Sequence, residues 1–465
     1  MDIKKGQTLE LDVTGMAFGG KGLARPDGFT VFVDQAAPGD RVRALVTGKK
    51  KNYAEARLQE ILRPSADRIH PPCVYSGHCG GCKWQFLNYE KQLAYKTGHV
   101  AEALTHIGLL KDPTVLPALP SRRIFGYRNK MEFSCSDRRW VLPFESEEEQ
   151  SETDFAIGLH VPGTYHKVLD TKACLLQPDL GNQLLDFVRG RIKRSGLPVY
   201  GLRSHQGFWR FLMLRHSVAH DSWMVNIITA AEERKVLTPL ADELIRAFPR
   251  VQAVVNNITT RKAGVATGEY EINLAGASVI REKLGALEFE ISANSFFQTN
   301  TAGAETLYNQ VKAYAGLTGR ETVLDLYSGT GTIPIWLSGD AREVIGLEIV
   351  PSAVADAERN CGAHGIGNCR FIAGDIRESL CRITRAPDVM IIDPPRDGMH
   401  KDVVRQVLDM APERIVYVSC NPATLARDLG LMKEVYRLSE VQPVDMFPHT
   451  YHIEAVAKLE RIITN

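Results

Sequence analysis

Apolar positions change their rhythm twice along the chain. Up to about Leu62 they alternate with polar ones, as in Phe29-Thr30-Val31-Phe32-Val33, and turns such as Phe18-Gly19-Gly20-Lys21-Gly22 and Ala37-Pro38-Gly39-Asp40 separate the runs. Alternation over short runs predicts strands buried on one face, and several of them in so small a unit predict a barrel. From about Arg63 to Glu290 the pattern is mixed. A helix is predicted over Glu90 to Leu110, with strands over Lys130 to Cys135, Trp223 to Thr229 and Ala253 to Ile258. The acidic stretch Glu145 to Asp154 reads as an exposed loop. From Ile291 onward, strand and helix patterns alternate, which predicts a doubly wound α/β unit. The expected division is therefore 1–62, 63–290 and 291–465.

Three apolar runs in the last unit end in residues with chemical potential. Val323-Leu324-Asp325-Leu326 leads into Tyr327-Ser328-Gly329-Thr330-Gly331-Thr332, Val389-Met390-Ile391-Ile392 into Asp393-Pro394-Pro395-Arg396, and Ile415-Val416-Tyr417-Val418 into Ser419-Cys420-Asn421-Pro422. Ligands of open α/β sheets bind beyond the carboxyl ends of the strands, so a glycine turn, an acidic turn and a potential nucleophile share one rim. A dinucleotide fingerprint would need a third glycine where Pro334 stands, which disfavours NAD. Instead an acidic residue precedes the glycines and Glu348 ends the next strand, where a carboxylate accepts hydrogen bonds from ribose hydroxyls. That pattern resembles the S-adenosylmethionine (SAM) pocket of Rossmann-like methyltransferases, with Asp375 a candidate contact on the adenine side. Methyltransferases that act on amino groups usually carry an aromatic residue after Asp/Asn-Pro-Pro. Arg396 in that position points to a carbon target.

Composition narrows the setting. With 44% hydrophobic residues, no apolar run of membrane-spanning length and a start lacking the apolar core of a signal peptide, a soluble cytoplasmic protein with no membrane partner is expected. A net charge of +1 gives no global nucleic-acid signal, so such binding must come from local patches. The Lys49-Lys50-Lys51-Asn52-Tyr53 turn is one such patch, readable as a solvated tip or as a phosphate contact. The nine cysteines are odd in number and scattered, which argues against a disulfide framework.

Carbon methylation of a pyrimidine makes sense of Cys420. C5 is a poor nucleophile until a thiolate adds to C6, and a base must then remove the C5 proton so that the thiolate leaves. Asp393-Pro394-Pro395-Arg396-Asp397-Gly398, Ser419-Cys420-Asn421-Pro422, His449-Thr450-Tyr451-His452-Ile453-Glu454 and Asn294-Ser295-Phe296-Phe297-Gln298-Thr299-Asn300 together resemble the RNA uracil-C5-methyltransferase family. The resemblance implies Cys420 as nucleophile, Glu454 as base, and Gln298, Tyr327, Glu348 and Asp393 as SAM contacts. A cytosine-C5 enzyme would usually carry a second cysteine at the Asp-Pro-Pro position, where none stands. Tyr327-Ser328 replaces a Phe-Cys pair found in many members. The Gly-Gly-Lys-Gly-Leu-Ala-Arg stretch and the later Pro-Gly-Asp-Arg-Val resemble a TRAM domain, an OB-like RNA-binding barrel. The fold class implied is multidomain α/β: a TRAM barrel, a mixed α+β RNA-binding centre and a Rossmann-like methyltransferase domain.

Cys73-x5-Cys79-Gly80-Gly81-Cys82 supplies three close thiolates. Cys-x2-Cys alone would favour zinc, and either metal needs a fourth ligand. The family's match is Cys174, and members with this arrangement carry a [4Fe-4S] cluster. A radical-SAM protein would show a different cysteine spacing. Ribosomal members have both the TRAM-like start and these cysteines, so the resemblance implies 23S rRNA as substrate; a monomer is expected. A tRNA uridine methyltransferase and a non-catalytic iron–sulfur RNA-binding protein are the alternatives. Candidate RNA contacts are Arg122, Arg123, Tyr127, Arg128, Lys130, Phe133, Trp209, Arg210, Arg215 and Arg261, with cations on phosphates and aromatics on unpaired bases.

Overall fold

A computed structural model describes residues 3–262 and 264–463. Strands β1 (Thr8–Asp12), β2 (Gly15–Met16), β3 (Gly22–Ala24), β4 (Thr30–Asp34), β5 (Arg41–Lys49) and β6 (Tyr53–Arg63) form one sheet in the order β1-β5-β6-β4-β3-β2. Alternate residues of β4, β5 and β6, such as Val31, Val33, Val42, Ala44 and Ala54, share one buried core with Leu9, Leu11 and Ala24. One face of all the long strands thus converges on a common interior, which is how a small sheet curls toward a barrel. The β5–β6 tip at 50–52 is exposed.

A second sheet runs β12-β11-β10-β9-β7-β8, built from β7 (Lys130–Ser136), β8 (Ala156–Gly158), β9 (Trp209–Ser217), β10 (Ser222–Thr229), β11 (Val251–Ile258) and β12 (Tyr270–Gly276). Helices α3 (Asp179–Arg194) and α4 (Arg234–Ala247) bury Leu184, Val188, Leu240 and Leu244 against it. The acidic stretch expected to be a loop contains a short helix, α2 (Glu147–Ser151).

Hairpin β13 (Val279–Leu284) and β14 (Leu287–Ser292) leads into a seven-stranded sheet of order β17-β16-β15-β18-β19-β21-β20. Its strands are β15 (Thr322–Leu326), β16 (Glu343–Glu348), β17 (Cys369–Ala373), β18 (Val389–Ile392), β19 (Arg414–Ser419), β20 (Tyr436–Val444) and β21 (Glu454–Arg461). The first five are parallel, and β21 is antiparallel between β19 and β20. Of the parallel strands, β15, β16, β18 and β19 are buried on both faces, hence their unbroken apolar runs, while β17 is a half-exposed edge. Helix α5 (Thr301–Ala315) covers one face, and α8 (Ile376–Leu380), α9 (Lys401–Met410) and α10 (Pro422–Met432) cover the other. α6 (Thr332–Leu337) and α7 (Pro351–Ala363) complete the crossovers.

Two earlier stretches pack into this last core. Helix α1 (Tyr89–His106) starts at an Asn88 cap and stops short of Leu110, where Leu109 takes φ +51. Its Val100 and Leu104 pack with Leu425, Leu429 and Val441. Residues Val115 and Leu119 then bridge to Val441 and Val444 along the edge of β20. The hairpin likewise contributes Ile280, Phe289 and Ile291 to the core that holds Leu307 and Val311. Among the described residues, no helix is long and apolar enough to cross a membrane.

Candidate active site

The rim of the seven-stranded sheet is shaped by its turns. After β15 the chain passes through Tyr327 (φ +68), Gly329 (φ +54) and Gly331 (φ +78), three left-handed residues in five. A Cβ on Gly331 would lie 2.8 Å from both Phe371 and Ala357, so close packing as well as backbone conformation requires glycine there. Glu348, at the end of β16, accepts the Gly329 N–H at 2.9 Å and the Val350 N–H at 2.8 Å, which holds the turn in place. Asp393 follows β18 and Cys420 follows β19. β21 enters antiparallel, with Ser419 opposite Ala455, and continuing that register sets Cys420 against Glu454.

Cys420, Glu454, Asp393, Tyr327 and Gln298 line one cavity of about 620 Å³, together with Asp325 and Arg396. That volume suits a nucleoside-sized ligand. Glu348 stands behind the turn rather than in the lining, and Asp375 lies outside it. Asp375 caps α8, pairs with Arg377 at 2.6 Å, and is held down to about 2 by that arginine.

Burial dominates the electrostatics. It pushes Glu454 well above the carboxylate range, reinforced by Asp393 and opposed by Arg396. Asp393 is pushed up to about 7 by burial. Asp325 is raised well above its ordinary value by burial, then by Asp393 and Glu348, and neither of its carboxylate oxygens has a hydrogen-bond partner. Burial, then Glu454, pushes the Cys420 thiol up to about 11, against the pull of Arg396. Crowded, desolvated carboxyls lacking donors suit a ligand that brings N–H or O–H groups and positive charge, as SAM does with its ammonium and sulfonium. Asp325, the acid directly before the glycine turn, and Arg396, read from sequence as pointing to a carbon target, both line the cavity, and so does His452, to which the sequence assigned no role of its own.

Cys73, Cys79, Cys82 and Cys174 line a second, smaller cavity with Tyr75 and Arg128. The Tyr75 hydroxyl accepts the Lys172 N–H at 3.0 Å, and Asn182 accepts the Cys174 N–H at 2.8 Å, bringing the distant fourth cysteine to the other three. Burial pushes the Cys79 and Cys82 thiols up to about 12 and raises Cys73 and Cys174 as well. Four desolvated thiols cannot ionise together without added positive charge, so the donor set fits a cationic inorganic centre. Among the described residues, no three His, Cys, Asp or Glu side chains converge closely enough for a single ion. Arg128 lines both cavities, and its Nε has no partner.

The cysteine segment also grips the turn that leads to Glu454. The N–H groups of Lys83 and Trp84 both donate to His449 O at 2.9 Å. Phe125 stacks on the His449 ring at 4.3 Å, and the Tyr127 hydroxyl donates to Pro448 O at 3.2 Å. Gln92 accepts the His449 N–H at 2.8 Å. Lys96, fully buried, donates to Asp445 at 2.5 Å and to Phe447 O at 3.0 Å. His449 itself takes φ +66, a conformation these contacts hold.

Half of the expected RNA contacts are interior. Phe133, Trp209, Arg210, Arg215 and Tyr127 are each at most 5% exposed. β9 is buried along almost its whole length, and β7 is buried apart from Lys130 and Glu132, so these side chains have no solvent side. Arg210 lies 4.2 Å over Tyr200 and donates to Thr259 O, while Arg215 donates to Ala293 O and Ser295 O. Arg128 faces the two cavities instead of the surface. Arg122, Arg123 and Arg261 are exposed; Lys130 is half-buried beside Glu132.

A family model described as tRNA (Uracil-5-)-methyltransferase matches residues 278–462, and one for the TRAM domain matches residues 3–58. The chain is 44% identical to an uncharacterized RNA methyltransferase of Chlorobaculum tepidum, over 98% of this chain and 97% of that protein. It is 41% identical to an uncharacterized RNA methyltransferase of Nitratidesulfovibrio vulgaris, over 98% and 96%. The crystal structure of Pyrococcus abyssi tRNA (uracil-54, C5)-methyltransferase in complex with S-adenosyl-L-homocysteine superposes with a TM-score of 0.75 at 28% identity, covering 97% of this chain and 100% of that one. An enzyme named for tRNA thus matches along nearly the whole chain, and whole-chain likeness does not by itself separate ribosomal from transfer RNA.

Proposed function

The chain belongs to the tRNA/rRNA uracil-5-methyltransferase family with an N-terminal TRAM domain, SAM-dependent enzymes acting on RNA, and on that premise we propose that it methylates C5 of a uridine flipped out beside Cys420. The observation that carries this reading is the pairing of a strand-end thiol with a buried carboxyl across the β19–β21 register, inside a cavity of nucleoside size. Cys420 adds to C6, C5 of the resulting enolate takes the methyl group, Glu454 removes the C5 proton, and the thiolate leaves. SAM supplies that methyl as a cationic donor. Gln298, Tyr327, Asp393 and, through the glycine turn, Glu348 hold it, with Asp325 as a further acceptor and Asp375 toward the adenine. Arg396 opposes the burial of both reactive groups and favours the thiolate and carboxylate forms in which they work.

The substrate we favour is 23S rRNA, on the family resemblance of the cysteine set. The likeness to the Pyrococcus abyssi enzyme supports a second reading, tRNA. Residues 1–62 and 63–290 would bind RNA and 291–465 carry the chemistry, in a cytoplasmic monomer. Cys73, Cys79, Cys82 and Cys174 would hold a [4Fe-4S] cluster; their convergence on one desolvated cavity and the family resemblance support this reading.

A denaturing gel with labelled RNA tests the chemistry. Glu454→Gln should transfer one methyl and stall as a SAM-dependent shifted band, whereas Cys420→Ala should give neither band nor methylated RNA. Methylation by Cys420→Ala would refute the covalent route. Mass-spectrometric mapping of 5-methyluridine in rRNA and tRNA from a deletion strain decides between the substrates.

A further inference from the structure

The far ends of β7 and β9 carry a surface that none of these roles uses. Three loops meet there: 137–140 after β7, 165–167, and 201–204 ahead of β9. They line an open groove with Arg138, Trp140, His166, Lys167 and Arg203. Asp137 is the one acid in that lining, and Arg139 is taken up by Glu145 at 2.6 Å. Arg138, Lys167 and Arg203 have no ion-pair partner among the described residues. In a chain of net charge +1, three unpaired cations around one groove are a local concentration of charge. Lys167 Nζ sits 3.7 Å from the Trp140 ring centroid. That indole is still 40% exposed, and Tyr165 beside it is 71% exposed. Two buried nitrogens at the groove, Arg139 Nε and His166 Nδ1, have no hydrogen-bond partner.

Unpaired cations, a nitrogen donor lacking an acceptor and an open aromatic face suit a chain of phosphates that carries flat rings. We propose that this groove docks a second segment of the substrate RNA, with Arg138, Lys167 and Arg203 on phosphates and Trp140 as a stacking platform. The proposal rests on the reading that the protein acts on RNA. Arg128, at the catalytic cavity, is eight residues from Ser136, at the groove. Along an extended strand that is about 26 Å, so the groove meets sequence flanking the target and not the flipped uridine.

The probe is a transcript of whichever RNA the wild type methylates, identified with labelled SAM and total RNA from a strain lacking the enzyme. An Arg138→Ala/Lys167→Ala/Arg203→Ala variant, checked for an unchanged melting temperature, should bind it about tenfold more weakly at physiological salt. Its slope of log affinity against log salt should shrink by about 2, for three single-strand phosphates at roughly 0.7 each. kcat at saturating RNA should not change. Trp140→Ala, a second variant, should weaken binding while leaving the salt slope as it is. Unchanged affinity and slope in the triple variant would overturn the proposal. So would a loss of heparin binding with kcat/KM for the transcript intact, the mark of a polyanion patch unrelated to substrate. A wild type that methylates no RNA would count against the proposed activity alone, and the groove would then be judged by the same slope measured on total RNA.

Discussion

The two cavities of this molecule bury titratable groups to opposite ends. Around Cys420, a mixed set of one thiol and several carboxyls stands with two arginines, Arg396 and Arg128, and Asp325 keeps two acceptor oxygens without donors. Around Cys82, four thiols face Arg128 and little else that is charged. Burial raises the pKa of the reactive groups in both places. The first set has a cationic ligand to relieve it only while SAM is bound, so its groups can change protonation within a reaction cycle. The second has no such transient relief, so four ionised thiols there would need a resident positive centre, the role of the cluster proposed above. Desolvation alone does not mark catalysis; the variety of groups that share it does.

The largest expected effect tests the resident half of that contrast. Cys82→Ser should lose the brown colour, with its absorption near ~400 nm, and fall from about four irons per chain to below one, as an anaerobic preparation and an iron assay would show. Stoichiometric zinc without iron in the wild type would overturn the assignment. A smaller effect sharpens the other half. On the proposed route the thiolate and carboxylate are the working forms at Cys420 and Glu454, and burial holds both pKa values above their ordinary positions. Below a raised pKa, each pH unit increases the ionised fraction about tenfold. kcat/KM for RNA should therefore climb steeply from neutral pH toward 9, while iron content stays flat. A profile that falls above pH 7 would contradict this. The smallest effect concerns Glu348→Ala, which should weaken SAM binding by roughly 1–3 kcal/mol, the scale of hydrogen bonds to a charged acceptor. Calorimetry showing unchanged affinity would remove Glu348 from cofactor binding.

The glycine turn, Asp393 and Cys420 were legible because parallel strands read as unbroken apolar runs, and whatever breaks such a run stands at the rim. Glu454 could be placed only through the family motif, since a carboxylate at the start of a strand is ordinary. Arg210, Arg215, Trp209 and Phe133 misled for a related reason. β9 is buried along almost its whole length, so no alternation distinguishes an inward arginine from an outward one. The contacts of α1 were hidden as well: its pattern shows that it has a buried side but not that α10 and β20 cover it.

The grip on the turn before Glu454 also bears on timing. Gln92 and His449 are 357 residues apart, and Lys96 and Asp445 are 349 apart. At roughly 5 to 20 residues per second, a ribosome takes roughly 20 to 70 s to travel from one to the other. Through that interval Lys96 waits without its counter-charge, and the lobe that will hold the catalytic turn has nothing to hold. An unfinished chain therefore carries the lobe that grips this turn long before the turn itself exists.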